Sequence, residues 1–234
     1  SISLTTQDAQ VDGYQLVLQS SLSYEAAAKA SSSRKAYAAI AETKLRNMVE
    51  STRRRQEVQI WYGQVGLGKI GTSTNQSTTK TRLNMLASTF APLIWGGKKN
   101  FKVVFYNVAA LVSSGADSIF VIDSVDIANR YVFVTGTTTG IAALDTAVSG
   151  APNVVDAFFH TSKTGTGTPT LHDMVGIDVI AGNAGTLFNI DASVYDLFAG
   201  NVYSVGSVAL TLAKVITAAT AGVNRGLDED VTLW

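Results

Sequence analysis

The sequence predicts an α+β fold in which helices and strands occupy separate parts of the chain. One observation is a long stretch, residues 33–63, that has no proline and no interior glycine, which is typical of a single long helix. A second is a series of short apolar runs separated by polar turns between residues 100 and 168, which indicates strands. Helical periodicity then returns after residue 170. Because the two kinds of element follow one another in blocks, the pattern favours α+β over alternating βαβ units.

Composition and charge restrict the classes of function. With 234 residues, 46% hydrophobic and 15% charged, the chain is long enough for one elaborated domain or two small ones. The formal net charge is zero, so nothing drives tight binding to nucleic acid or to an anionic membrane. The absence of cysteine excludes disulfides and thiolate metal sites. No signal peptide or long apolar run is present, and we expect a protein kept in solution in a cytoplasm, with the chain truncated at both ends.

The first 30 residues contain a long alternating segment. Five apolar side chains alternate with polar ones and predict a strand with one apolar face: Tyr14, Leu16, Leu18, Leu22 and Tyr24. Such a strand spans roughly 35 Å, and no hairpin signal follows it. Two interpretations remain open at this point. The segment is either an arm covered by a neighbouring subunit or a plain edge strand of the core sheet.

The long helix, predicted over residues 33–62, is the central element of residues 31–99. Serines at 31–33 can cap its start, and Gly63 stands where a left-handed terminating residue is expected. Pairs of opposite charge at i,i+4 lie on its wetter sides: Glu42–Arg46, Glu50–Arg54 and Arg53–Glu57. One narrow stripe carries its apolar residues: Tyr37, Ile40, Ala41, Leu45, Met48 and Thr52. Only the last two turns are apolar nearly all round, so we expect a strut whose C-terminal end enters a packed domain.

The densest charge in the chain is the run Arg53, Arg54 and Arg55 within this helix. A nucleic-acid patch is one interpretation. Because Glu50 and Glu57 lie within helical pairing distance and no further basic residues share the face, arginines that are solvated or face another subunit are favoured.

The remaining elements are predicted from local periodicity. Residues 64–81 are expected to form a loop or a weak hairpin, and residues 100–168 a semi-independent β-rich subdomain closed by a linker at 161–170. Strands are predicted at 90–95, 101–106, within 118–136 on either side of a bend at 126–130, at 147–148 and at 154–160. Helices are predicted at 171–180, from Asp191 to Gly200, and at 208–224, the last with an apolar face of Ala209, Leu212, Ile216, Ala219 and Val223.

Several motifs suggest chemistry, but each lacks the context that the chemistry requires. The glycines from Gly66 to Gly71 match G-x-G-x-x-G, yet a helix precedes them and a Ser/Thr-rich segment follows, and Ile70 stands where a phosphate loop needs Ser or Thr. Neither His160 nor His172 has a nucleophile motif nearby. The run Asp228–Asp230 reads as a solvated turn, because consecutive side chains diverge. We therefore expect no catalytic, cofactor or metal site, and no enzyme.

Five sequence segments, spread over most of the chain, are typical of one known family. They are VDGYQLVLQSSLSYEAAAKASSSRKA at 11–36, EVQIWYGQVGLG at 57–68, DIANRYVFVTG at 126–136, MVGIDVIAGNAGTLFNIDASVYDLFAGN at 174–201 and VNRGLDEDV at 223–231. Together they resemble the major capsid proteins of tailed bacteriophages, which have the Hong Kong 97-like fold. The resemblance implies that residues 1–30 are part of an extended loop and that the long helix is the spine of a peripheral domain. It also implies that residues 100–168 are an insertion and that 169–234 form an axial domain.

The resemblance implies a structural subunit that assembles into the icosahedral phage head and encloses DNA without reading its sequence. The expected partners are further copies in pentamers and hexamers, together with scaffold, portal or decoration proteins, and no membrane. The expected location is the virion, after assembly in the host cytoplasm. Candidate inter-subunit contacts are the five arm residues and the arginine run: Tyr14, Leu16, Leu18, Leu22, Tyr24, Arg53, Arg54 and Arg55. The alternative from another class is a cytoplasmic nucleotide-binding protein or enzyme that uses the glycine-rich loop Gly63–Gly71.

Overall fold

The computed structural model describes residues 8–11, 13, 34–182, 185–191, 194, 200, 202–204 and 209–224. The chain combines helices with antiparallel sheet, which confirms the α+β class. It forms two compact units, one of residues 12–178 and the other of residues 1–11 with 179–234. Two sets of residues singled out from the sequence lie outside the described part: the arm residues Tyr14, Leu16, Leu18, Leu22 and Tyr24, and the acidic run Asp228–Asp230.

The predicted long helix is present as α1, Arg34–Tyr62. Two of its predicted ion pairs form, Glu42–Arg46 at 3.5 Å and Glu50–Arg54 at 2.9 Å, whereas Arg53 and Glu57 make no ion pair in the described part of the chain. The left-handed residue after the helix is Gln64, with φ 65°, and not Gly63. None of the helices in the described residues has both the length and the apolar character needed to cross a bilayer.

The remaining elements follow α1 in short steps. The strands are β1 Ile70–Ser77, β2 Lys80–Met85, β3 Lys102–Asn107, β4 Ala110–Leu111, β5 Phe120–Asp126, β6 Tyr131–Thr135, β7 Val155–Phe159, β8 Lys163–Thr164, β9 Thr170–Leu171, β10 Thr186–Leu187 and β11 Ile190–Asp191. The helices are α2 Pro92–Trp95, α3 Thr138–Gly150, α4 Ile177–Gly182 and α5 Leu212–Val223, with a single 3-10 turn at Gly115–Ser118.

Seven strands form one antiparallel sheet in the order β1-β2-β6-β5-β3, with β4 and β7 also paired to β3. The hairpin β1–β2 belongs to this sheet, because β2 pairs with β6 over its whole length. Residues 67–69 lie along the free edge of β7, where the N–H of Leu67 donates to the carbonyl of Ala157 at 2.7 Å. The end of the sheet that begins with β1 therefore meets the end formed by β7.

The larger of two apolar clusters covers the inner face of this sheet. It combines Val58 of α1 and Trp95 of α2 with strand residues on both sides of position 100 and with Ile141, Leu144 and Val148 of α3. The boundary predicted at residue 100 consequently does not coincide with a break in sheet or core, and residues 100–168 are not semi-independent within the described chain. Strand alternation alone did not show this, because it does not indicate which strand pairs with which.

The predicted linker at 161–170 is also part of the folded structure. It contains β8 and the first of the two residues of β9, and it lies over a second apolar cluster of Val104, Tyr106 and Phe158 on the outer face of the sheet. The ammonium of Lys163 lies 4.4 Å from the Tyr106 ring centroid and 4.3 Å from that of Phe158. The Tyr106 hydroxyl donates to the carbonyls of Lys163 and Gly165. Cation–π contacts and hydrogen bonds thus hold this glycine-rich segment in place.

Two predicted elements are wrong in type, and a third begins later than predicted. Residues 90–95 end in the short helix α2 and not in a strand, because Pro92 provides the fixed φ of a first helical turn. Residues 147–148 lie in α3, whose start is capped by Thr137, with its hydroxyl accepting the N–H of Gly140 at 3.0 Å. The helix predicted from residue 171 begins only at Ile177, because Leu171 belongs to strand β9 and pairs with Lys163 of β8.

Other predictions are confirmed within a few residues. The strands β3 and β7 and the hairpin of β5 and β6 match the predicted segments, with the turn of that hairpin at residues 127–130. The last predicted helix is present as α5, which starts at Leu212 after Thr211. Asp191 ends strand β11, and most of the helix predicted after it lies outside the described residues.

Two glycines allow the end of α1 to cross the segment that precedes α4. A Cβ on Gly63 would lie 2.1 Å from the carbonyl oxygen of Met174, and one on Gly176 would lie 2.4 Å from the nitrogen of Gly63. The N–H of Gly176 donates to the carbonyl of Gly63 at 3.0 Å. Glycine is needed here for the close approach of two backbones, which explains a residue first interpreted as a helix terminator.

Replacing Gly63 by alanine is therefore expected to destabilise the protein by about 1–3 kcal/mol, since the added methyl group must displace backbone and not a flexible side chain. The matched control is Gly150→Ala at the end of α3, where a Cβ would meet nothing within 4 Å. We expect the control to stay within about 0.5 kcal/mol of the parent or to gain slightly. Urea unfolding measures both, and equal stability of the two variants would contradict the close crossing.

Candidate functional site

The three arginines of the predicted patch have different surroundings. Arg53 is exposed, whereas Arg54 donates to Glu50 and to the carbonyl of Gly97, both at 2.9 Å. The side chain of Arg55 is only 18% exposed and points into its own chain. The structure therefore does not bring the three guanidinium groups together as one surface. Their proposed role in subunit contact stays a prediction.

A polar cluster surrounds Asp173 beneath the end of α1. Arg55 donates to the carboxylate of Asp173 at 3.4 Å and to the hydroxyl of Ser162 at 3.1 Å, and Gln59 donates to the same carboxylate oxygen. Gln64 adds a 2.9 Å bond to the Asp173 carbonyl. Because Asp173 is only 10% exposed, the arginine supplies the counter-charge that a buried carboxylate needs. This cluster ties the end of α1 to the chain before α4.

The two histidines lie near this cluster without forming a catalytic arrangement with it. Burial lowers the pKa of His160, and the charges of Lys102 and Arg55 lower it further, so its neutral form is favoured. His172 lies 2.6 Å from the Thr164 hydroxyl on an exposed part of the surface. The neighbouring Asp173 accepts from Arg55 and Gln59 and so does not serve as the orienting acid of a triad.

The glycine-rich loop has a shape that fits a carboxylate of its own chain. A Cβ on Gly66 would lie 2.1 Å from the side chain of Asp156, and Gly68 has φ +132° and donates its N–H to Asp156 at 3.2 Å. The loop is preceded by α1 and followed by β1. A dinucleotide fingerprint requires the reverse order, a strand before and a helix after. Gly66 and Gly68 are thus explained by their contact with Asp156 of β7.

A cavity of about 350 Å³ opens beside this loop. Its walls include the rings of Tyr62 and Phe90, the side chain of Ile94, one lysine, Lys69, and two carboxylates, Asp156 and Asp178. A nucleotide polyphosphate here would meet two acidic groups and a single basic one. The electrostatics of the cavity therefore disfavour the nucleotide alternative.

Asp156 is the residue of this site that the sequence reasoning missed. Burial raises the pKa of its carboxyl group, against the lowering effects of the N–H groups of Gly68 and Ala157 and of the charges of Lys69 and Lys163. A signal was available in the sequence, because an acidic residue inside a predicted apolar strand is unusual. Nothing in the sequence indicated that the glycine-rich loop lies against it.

Within the described residues, no group of three His, Asp or Glu side chains is placed to hold a metal ion. The sequence matches no protein-family model, and no curated protein or solved structure is significantly similar to it. The candidate sites are therefore argued from their own geometry.

The buried pair of Arg55 and Asp173 yields a stability prediction. Asp173→Ala leaves the guanidinium buried without its counter-charge and is expected to lower the free energy of unfolding by about 3 kcal/mol. The control is Glu42→Ala, which breaks the exposed pair with Arg46 and is expected to change stability by less than about 0.5 kcal/mol. Urea unfolding of both variants tests this. A loss for Asp173→Ala no larger than that of the control would show that the cluster contributes nothing.

Asp156 yields a prediction about pH. Because its pKa in the folded protein lies above the unfolded value of 3.8, the folded state binds more protons in that range and stability falls as the pH rises through it. Asp156→Asn removes this loss, so the variant should be more stable than the parent at pH 7, with a smaller gain near pH 3. Asp123→Asn should behave oppositely, since the hydrogen bond and charge of Lys80 lower the pKa of Asp123. Unfolding curves at both pH values decide, and a loss of stability for Asp156→Asn at pH 7 would contradict the argument.

Proposed function

We propose that this chain is a structural shell subunit, which assembles with further copies into the icosahedral head of a tailed bacteriophage and encloses DNA without reading its sequence. The observation that carries the proposal is the exposure of α1. The helix has 29 residues and is about 44 Å long. Among its described side chains only Val58 and Gln59 are buried, both near its end.

The exposed part of α1 carries apolar side chains that its own chain leaves in contact with solvent. Leu45 is 62% exposed and Val49 is 55% exposed, and they lie one turn apart on the same side of the helix. A helix anchored at one end gains little stability from packing along the rest of its length. Contact with a neighbouring subunit would cover these side chains and stabilise the helix as a strut between copies.

The charge distribution also supports contact between copies. Helix α1 contains seven basic and three acidic residues, whereas the chain as a whole has 18 of each kind. The remainder of the chain is therefore net acidic. A basic helix on one copy and an acidic surface on another are complementary, which favours association in a defined orientation.

The resemblance to phage capsid proteins supplies the finer part of the proposal. In a Hong Kong 97-like arrangement α1 is the spine of the peripheral domain, the arm residues of 1–30 lie over a neighbour, and α5 belongs to the axial domain. The subunits then form pentamers and hexamers, with scaffold, portal or decoration proteins as further partners. Such a protein needs extended complementary surfaces and no catalytic group.

The double change Leu45→Asp with Val49→Asp tests the proposal in the assembling protein. The substituted positions are exposed, so the subunit should keep its helix content by circular dichroism, while charged groups at the contact should prevent particles from forming. Sedimentation velocity and negative-stain microscopy measure the assembly. The matched control is Val108→Asp, another exposed apolar position at 72%, which should assemble as the parent does.

Two results would contradict the proposal. One is a parent protein that sediments as a small oligomer under all assembly conditions tested. The other is a double variant that forms particles of normal size and yield.

A further inference from the structure

The cavity beside the glycine-rich loop is lined by the carboxylate of Asp156. Asp156 accepts a hydrogen bond from the N–H of Gly68 at 3.2 Å, which leaves further acceptor positions on its two oxygens. Within the described chain no ion pair shorter than 4 Å involves Asp156. Two other acids of the described chain, Asp123 and Asp173, each have a basic side chain at that distance. Burial of this carboxylate is offset only in part by the charges of Lys69 and Lys163, neither of which forms an ion pair with it, so a cation in direct contact would stabilise its charged form.

The rest of the cavity selects the kind of cation. Asp178 adds a second carboxylate to the wall, and Tyr62 and Phe90 add aromatic rings beside the apolar side chain of Ile94. Acidic groups next to aromatic faces attract positively charged groups that carry an apolar body. The volume of about 350 Å³ falls within the range of small-molecule sites and exceeds what a bare metal ion requires.

We propose that this cavity is a binding site for an organic cation, an ammonium or guanidinium group on a short apolar chain or ring. Asp156 and Asp178 pair with the charged group, and Tyr62, Phe90 and Ile94 pack against the apolar part. The site does not include the exposed turns of α1 on which the proposed assembly contact rests, because α1 contributes only Tyr62 to it.

Lys69 distinguishes an organic cation from a nucleotide as the ligand, because it lines the same cavity with a positive charge. Its side chain is exposed and forms no ion pair with Asp156 within 4 Å in the described chain. An incoming cation is repelled by Lys69, whereas a nucleotide phosphate would be attracted by it. Removing this lysine therefore has opposite effects on the two ligand classes.

The test uses benzylammonium as the probe, with benzyl alcohol as the neutral control and phenyl phosphate as the anionic control. Binding is followed by the amide chemical shifts of Gly66 and Gly68 in the full chain at pH 7. We expect saturable binding of benzylammonium in the millimolar range, with benzyl alcohol weaker by about tenfold or more and phenyl phosphate not bound.

Three variants identify the groups responsible. Asp156→Asn should weaken benzylammonium binding by about tenfold, and Asp178→Asn should weaken it by a smaller factor, whereas Lys69→Ala should leave it unchanged or tighten it. The control variant Asp123→Asn removes an acid outside the cavity and should bind as the parent does. Because Asp156→Asn is expected to be at least as stable as the parent at pH 7, weaker binding would not reflect unfolding.

Equal binding of benzyl alcohol and benzylammonium would overturn the proposal, as would an Asp156→Asn variant with unchanged affinity. Binding of ATP or NAD by calorimetry that is lost in Lys69→Ala would also overturn it, in favour of a nucleotide site. The natural cation is either a free amine or a basic side chain of a second copy. If excess benzylammonium dissociates the particles, it displaces a basic side chain of a second copy from the cavity. If the particles stay intact, the natural ligand is a free amine, and both results agree with a cation site.

Discussion

The apolar core shared by Val58, Ile70 and Phe105 determines the position of the elements around it. These residues come from the end of α1, the hairpin β1–β2 and the central strand β3, so one buried volume joins parts of the chain that the sequence places far apart. Strands paired in a sheet leave one face to cover, and here α3 and the end of α1 cover it. The described side chains in the earlier turns of α1 lie outside this core, which explains why the helix is anchored at one end only.

Two acidic residues near the end of α1 differ in how the charge of the carboxylate is compensated. Asp173 is held by Arg55 and Gln59, so its charge is compensated within the chain and its role is to fix the helix. Asp156 faces the glycine-rich loop and accepts a hydrogen bond from the backbone N–H of Gly68, with no ion-pair partner in the described chain. The same residue type is therefore an ion-pair partner within the chain in one place and, in the proposal above, a ligand for an external cation in the other. What separates them is the presence of a basic side chain within reach.

The glycine-rich loop illustrates how a motif and its cause can differ. Its spacing matches a nucleotide fingerprint, yet Gly66 makes room for the Asp156 side chain and Gly68 adopts a backbone angle that other residues rarely take. A loop shaped by contact with its own chain needs no phosphate ligand to explain its glycines. The exposed helix α1 and the cavity with two carboxylates are instead the features suited to contact with partners.

Local sequence patterns determined the elements that depend on neighbours along the chain. Helix α1 was predictable because an uninterrupted run of helix-forming residues needs only i,i+4 contacts, and β5 with β6 was predictable because apolar alternation surrounds one polar turn. The resemblance to capsid proteins and the candidate contacts of the arm also rest on the sequence alone. Only the tertiary structure decided that β2 pairs with β6, that residues 161–170 pack on the sheet, and that Asp156 meets the glycine loop. Arg55 and Asp173 stand 118 positions apart, and no local period encodes such a pair, since it forms only when the shared core brings distant segments together.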